Sequence, residues 1–439
     1  MKNAPAVVGL LLGTASAAVG VRSIVPGIPL RPWHVLVFAA LVLAWTAHSR
    51  RTAPRIRPLL SDVALLAFVG LSVAVELWNV ATSDIQASVT NAIYPLYFLV
   101  GYAAVRLVVR HRTDAMALLV AFTIPVVPSA VAALAQLASR DLARLVLTVA
   151  PAGGLSDRID DGRTLRSTAF IGHWTGAGMY FCAVLAAVGC VLLMRPRRRS
   201  ALVMVWTAAV AAIAGALASA TISVIATAAA LCLVTAVVGG WRPLVFLSTS
   251  GIVAGALSFV LTRPVLQARV DQQTTPARTS SGPPTGPVAD PGSSWIPSTL
   301  AYRYRVWTEQ TLPAIADRPV TGWGADVFGS SARPPVLAWG SAESQWLGVA
   351  LSFGVPAMVV FVLVIAAIAS VLYRSASRMS APVMTLFACS VASAFIVPVF
   401  TNRGLPVPFW ILLGVVVALS PVRHAQRERS VRTNEYTGT

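Results

Sequence analysis

Residues 344–373 read SQWLGVALSFGVPAMVVFVLVIAAIASVLY, thirty residues without an Asp, Glu, Lys or Arg. A helix of about 20 apolar residues crosses the ~30 Å hydrocarbon core of a bilayer, so this run predicts a membrane span. Gly354 and Pro356 inside it are no objection, because membrane helices tolerate both residue types. Eleven similar apolar runs lie elsewhere, at 4–21, 33–48, 59–77, 88–108, 114–137, 170–194, 201–218, 221–240, 243–261, 381–400 and 405–422. The composition agrees with them. Of the 439 residues 56% are hydrophobic and only 11% charged, with mean hydropathy +0.73. Soluble domains carry roughly 25% charged residues. An ordinary soluble globule, a disordered chain and a secreted disulfide scaffold are therefore excluded. The expected fold is an all-α integral membrane protein of about twelve transmembrane helices. The four cysteines all lie in apolar runs, with no CxxC and no metal-ligand spacing, and read as small core residues.

The net charge is +18, and Lys2 is the only lysine among 34 basic residues. In a membrane chain such an excess sets topology and offers sites for anions, with no need of nucleic acid. Twelve spans put both termini on one side. With the termini in the cytoplasm, nineteen basic residues fall in cytoplasmic segments, three in short outer loops and twelve in two long outer loops. That is the positive-inside pattern of a multi-pass cytoplasmic-membrane protein. The N-terminal run, with no small-x-small cleavage site, reads as the first span. Asp62 and Asp114 open spans and read as N-caps. Glu76 and Asp84 border an outer loop and read as solvated. Arginine runs 195–199 and 423–432 read as topology determinants that touch anionic lipid.

The organisation that follows is 1–261 for spans one to nine, 262–343 for a long extracytoplasmic loop, 344–422 for the last three spans and 423–439 for a basic cytoplasmic tail. Outer loop 138–169, inside the first block, mixes five arginines with four aspartates. Within the long loop, 272–297 is rich in Pro, Thr, Ser and Gly and predicts a flexible tract. After it, Trp307, Leu312 and Ile315 stand at helical spacing and predict a short amphipathic helix over the mouth of a cavity. No repeats are present.

Motifs of soluble enzymes are missing: GxxxxGK[ST], GxGxxG in a strand–helix context, HExxH and GxSxG. So is an acidic pair in the first outer loop, 22–32, that would hold a metal-bound sugar phosphate. What the sequence does carry is RYRVWTEQTLPAIADRPVTGWGADVFG at 303–329, a short spacer, and SAESQWLGVALSFGVPA at 341–357. An arginine (Arg303 or Arg305) precedes Trp307, a helical segment follows, and Arg318-Pro319 with Gly322 and Gly324 makes an RPxxGxG turn. Gly354 stands ten residues after Ser344. This block resembles the C-terminal signature of the O-antigen ligase and O-antigen polymerase superfamily of membrane glycosyltransferases. RSTAFIGHWTGAGMYF, from Arg166, resembles the family's R-x-x-G-x-F entry into a mid-chain span. Two positions depart from the pattern. Glu343 stands where the ligases have histidine, and the family's Ser-Arg pair falls on SATIS at 219–223, which has no arginine.

The resemblance implies transfer of a glycan from a polyprenyl-pyrophosphate carrier to a glycan or lipid-glycan hydroxyl, at the outer face of the cytoplasmic membrane. It also implies inversion at the anomeric carbon, no metal and no cofactor. The chemistry suits the residues. Cleaving the anomeric C–O bond builds charge on pyrophosphate, which guanidinium forks stabilise, and a carboxylate can take the proton of the incoming hydroxyl. The candidate base is Glu343. The candidate donor-binding residues are Arg303, Arg305, Arg166, Arg318 and Arg403. Each has a plainer reading: Glu343 as a helix-terminus carboxylate, Arg303 and Arg305 as interfacial anchors, Arg166 as a partner of Asp160 or Asp161, and Arg318 as a turn residue. His173, just inside a span, reads as a buried, hydrogen-bonded histidine. The rival function is a twelve-helix secondary transporter or flippase. Its usual mark of matching halves is not evident, and the long loops follow spans five and nine.

Overall fold

The computed structural model describes residues 3–23, 30–50, 58–82, 88–274, 298–329, 333–400 and 404–420. All regular structure among them is helical, and each of the twelve apolar runs is occupied by helix. In chain order the elements are α1 Ala4–Ala17, α2 Pro32–Ser49, α3 Leu60–Thr82, α4 Val89–Ala92, α5 Leu96–Val108, α6 Arg112–Thr123 and α7 Val126–Ala138. Then come α8 Arg140–Val149, α9 Gly153–Asp160, α10 Trp174–Leu193, α11 Arg199–Ala218, α12 Ile222–Gly239 and α13 Trp241–Thr274. The last are α14 Ser298–Val306, a π turn Trp307–Thr311, α15 Leu312–Asp317, α16 Gln345–Arg374, α17 Ala381–Ala394 and α18 Pro406–Ala418. Among the described residues eight helical stretches are long and apolar enough to cross a membrane: α2, α3, α6 with α7, α10, α11, α12, α13 and α16. Helices α1, α5 and α18 are shorter and equally apolar. The molecule is an all-α membrane protein.

Helix α10 forms the centre, with every residue from Thr175 to Leu192 buried. A helix apolar on all sides must be surrounded by others, and α6, α11, α12, α17 and α18 pack around it. At the edge, α1 lies against α6 through Gly9 and Gly13. A Cβ at either glycine would strike the carbonyl of Leu118 or Phe122. Small residues four apart let membrane helices close to backbone contact.

Proline divides two runs more sharply than their apolar character suggests. The run 88–108 is split into α4 and α5 at Pro95, and 114–137 turns at Ile124–Pro125 between α6 and α7. Run 243–261 goes the other way. Helix α13 continues to Thr274, so Arg263 and Arg269, placed in a loop from sequence, are helical. Of the flexible tract assigned to 272–297, the first three residues complete α13, while 275–297 lies outside the described residues, as do Asp84, Arg403 and the basic tail. Asp62 and Asp114 cap their helices from the third helical position rather than the N-cap. Asp62 accepts from Leu59 N at 2.8 Å, and Asp114 accepts from Arg110 N and His111 N at 3.1 and 3.2 Å. Asp62 also forms a buried ion pair with Arg106 at 2.9 Å.

The long run opening at Ser344 is broken. Gly354 has φ +83° and ψ 168°, which divides α16 into an arm before it and a longer helix after it. Freed backbone groups at such a break need partners when water is scarce. The Pro319–Gly324 turn supplies them. Trp323 N donates to Leu351 O and Gly324 N to Ser352 O, both at 2.9 Å, and Val355 N donates to Pro319 O at 2.7 Å. The fit demands glycine on both sides. Gly322 has φ +57°, and a Cβ there would lie 2.6 Å from the Ser352 carbonyl; a Cβ on Gly354 would run into Val320 O. The RPxxGxG turn and the glycine at 354 are therefore two halves of one contact.

Candidate functional site

Helix α3 buttresses that contact. Glu76 and Asn79 are each 1% exposed. Glu76 accepts from Ser88 N at 2.9 Å and from Ala325 N, while Asn79 donates to Thr321 O at 3.2 Å. Glu76 is thus a buried clamp and not a solvated border residue. Its two carboxylate oxygens satisfy backbone donors from two loops, and this offsets burial of the charge.

From the docked turn the chain runs through 333–344 to the start of α16. Glu343 lies two residues before this helix, ahead of the N-cap Ser344, with φ +51°. Few non-glycine residues adopt that conformation, and those that do cluster at functional positions. Its carboxylate is outside the first helical turn. One oxygen accepts from Arg303 Nε and the other from Trp339 Nε1, each at 3.2 Å. Its own N–H donates to Ser341 Oγ at 3.2 Å. The plainer reading of Glu343 as a helix-terminus carboxylate therefore does not describe its contacts.

Arg303 comes from α14, which continues through the π turn into α15. The extra residue of a π turn shifts the face of a helix. Here the buried Val306 and Thr311 stand five apart where four would be regular, and Ala314 and Ile315 continue the buried face. Leu312, one of the three apolar residues noted for their spacing, is 47% exposed. Trp307 donates its indole N–H to Ala342 O at 3.0 Å and so ties this segment to the Glu343 loop. Arg305, two residues from Arg303 on the helix, turns elsewhere, and its Nε donates to both carboxylate oxygens of Glu309 at 2.9 Å. Arg318 lays its guanidinium over Trp323, 4.2 Å from the ring centre. Arg403 is outside the described residues.

Arg166 arrives from another part of the chain. Gln136, fully buried on α7, accepts from Ser167 Oγ, Thr168 N and Ala169 N, each at 2.9 Å, and so holds the loop before α10. The Arg166 guanidinium donates to Thr221 Oγ1 at 2.6 Å and lies 4.6 Å from the Trp174 ring centre. It fills the turn between α11 and α12, at SATIS, where the sequence has no arginine of its own. Asp160 and Asp161 pair instead with Arg144 and Arg163. Burial, together with the positive charges of Arg269, Arg158 and Arg303, holds the Arg166 guanidinium well below its ordinary range. His173, at the start of α10, stacks on the same Trp174 ring, their centres 4.8 Å apart.

Four arginines, Arg158, Arg166, Arg269 and Arg303, thus repel one another, and Arg303 pairs with Glu343. A group of like charges held together this way attracts an anion. Arg158, which shares Trp174 with Arg166 at 5.3 Å, and Arg269 were not singled out from the sequence. Neither were Tyr302 and Trp339, although Trp339 precedes Glu343 by only four residues. Glu76 carried a signal that was readable, being an acid inside an apolar run. Among the described residues no three His, Cys, Asp or Glu side chains are grouped to hold a metal ion. Neither models of known protein families nor curated proteins match the chain.

Proposed function

We propose that the protein is a membrane glycosyltransferase. It moves a glycan from a polyprenyl-pyrophosphate carrier to a hydroxyl acceptor at the outer face of the cytoplasmic membrane, in the manner of the O-antigen ligases and polymerases. The observation that carries this reading is Glu343, strained and held between Arg303 and Trp339, with the charge of Arg303 acting in turn on Arg166 and Arg269. Arrival of the donor gives Arg303 a pyrophosphate partner and frees one carboxylate oxygen. That oxygen takes the proton from the acceptor hydroxyl as the acceptor oxygen attacks the anomeric carbon. The bond from that carbon to the pyrophosphate oxygen breaks with inversion, and the leaving charge falls on the guanidinium groups. The proton then passes from Glu343 to water.

The test uses the full chain purified in detergent and a lipid-linked sugar donor. Glu343→Gln keeps the size but not the base, so turnover should fall by about 10²–10⁴-fold while donor binding persists. Glu343→His should retain more turnover than Glu343→Gln. Arg303→Lys should weaken use of the donor, because an ammonium cannot fork onto phosphate, whereas Arg305→Lys, already committed to Glu309, should change little. Turnover of Glu343→Gln near the parent's would remove the base role. Net movement of a lipid-linked sugar across proteoliposomes without covalent change would replace transfer by transport.

A further inference from the structure

Trp339 is 42% exposed, yet it is held on several sides. The backbone N–H groups of Ala338 and Trp339 both donate to Gln310 Oε1 at 3.0 Å, and Arg333 donates to the Trp339 carbonyl at 2.6 Å. The indole N–H is bound to Glu343. The ring stands edge-to-face with Tyr302, their centres 5.0 Å apart. The Tyr302 hydroxyl is buried without a hydrogen-bond partner among the described residues, and burial and the charge of Glu343 raise its pKa. A large ring fixed in place with a face still open is a preformed platform, since binding on it freezes no further rotamer. The polar handle of an indole usually meets water or a headgroup when the ring serves as a membrane anchor. Here it is turned inward, to the candidate base.

We infer that Trp339 is the floor of the acceptor subsite, and that the acceptor presents a pyranose ring to it. This rests on the transferase reading of Glu343. A pyranose has an apolar face of C–H bonds and a polar rim of hydroxyls. Laid on Trp339, its rim comes to the carboxylate that holds the indole edge. The platform thereby selects a sugar hydroxyl over water or a flexible alcohol, because only a ring covers the indole while it presents its hydroxyl to Glu343.

The experiment has two arms, both on the full chain in lipid nanodiscs. In the first, saturation-transfer NMR uses methyl β-glucopyranoside, methyl β-galactopyranoside and methyl α-mannopyranoside at millimolar concentration. At least one should receive saturation mainly at the protons of one ring face. Trp339→Ala should lose that signal and Trp339→Phe should keep part of it. In the second, transfer from a lipid-linked donor is followed against acceptor concentration. Trp339→Ala should raise the acceptor KM about tenfold, the equivalent of ~1.4 kcal/mol, and the donor KM by much less. Equal saturation of wild type and Trp339→Ala, or equal rises in both KM values, overturns the proposal. A folded variant that binds sugar normally but associates poorly with lipid makes Trp339 a membrane anchor. Loss of sugar binding in Trp339→Ala with no transfer by any form of the protein keeps the subsite and removes the transferase reading. Transfer with undisturbed sugar binding does the reverse.

Discussion

Helices α13 and α16 are the two longest in the protein, and each contains a proline. Helix α13 runs from Trp241 to Thr274 straight through Pro264, while α16 is interrupted at Gly354, two residues before Pro356. Proline is therefore not what breaks a long helix here. In α13 the cost is one backbone hydrogen bond, to the carbonyl four residues back, and the helix proceeds. In α16 the break is maintained because the Pro319–Gly324 turn supplies three partners for the groups it exposes. Pro356 then stands in the first turn of the following segment, where its missing N–H is no loss. An interruption at membrane depth persists only where another segment satisfies it. Glu343 lies just ahead of the arm that precedes the interruption, so the same docking positions the candidate base.

The largest effect that would break this comparison is at Gly354. Gly354→Val places a β-branched residue at φ +83° and drives its Cβ into Val320 O. It should destabilise the protein by about 3 kcal/mol or more, visible as a lower melting temperature in detergent. Transfer activity should be lost with it. Retained stability and activity would mean that the break does not organise the site. Glu76→Gln comes next. Both carboxylate oxygens face backbone donors, so the amide would direct its NH₂ at one of them. The expected loss is about 1–3 kcal/mol, measurable by thermal melting, and the Ala325 segment should become more accessible to hydrogen exchange. Asn79→Leu removes one hydrogen bond to the same turn, with an expected cost of about 1 kcal/mol. Pro264→Ala should have the smallest effect. The regained hydrogen bond, ~1 kcal/mol, is offset by the added freedom of the unfolded chain, ~0.4–1 kcal/mol. A melting shift for Pro264→Ala as large as that for Gly354→Val would erase the distinction between the two helices.

The pair Arg303 and Arg305 shows how far the candidate site could be read in advance. Residues two apart on a helix point in nearly opposite directions, so only one of them could reach Glu343. The deciding mark was present: Glu309 stands four residues after Arg305, the spacing of a helical ion pair, and takes it. The register of the segment that follows them was not readable. The π turn at Trp307–Thr311 adds a residue to the period, and no composition rule announces it. Arg166, from a distant part of the chain, lies near enough to Arg303 for the charge of one to act on the other. Arg158 and Arg269 join them from two further segments, which spacing along the chain cannot reveal.

Length, apolar runs and charge distribution by themselves determined an all-helical membrane protein, because the bilayer demands satisfied backbone groups and about 20 apolar residues for each crossing. The motif resemblance, read beside them, pointed to the RPxxGxG turn and Glu343. Only the tertiary structure decided that Gly354 breaks its helix, that Glu76 is a buried clamp, that Arg166 completes the SATIS turn, and that Arg303 rather than Arg305 meets Glu343. Crossing a membrane is a property of one segment and its solvent, and is written in each run separately. These other features depend on which backbone groups and charges from distant segments find each other, and only the packed chain specifies that.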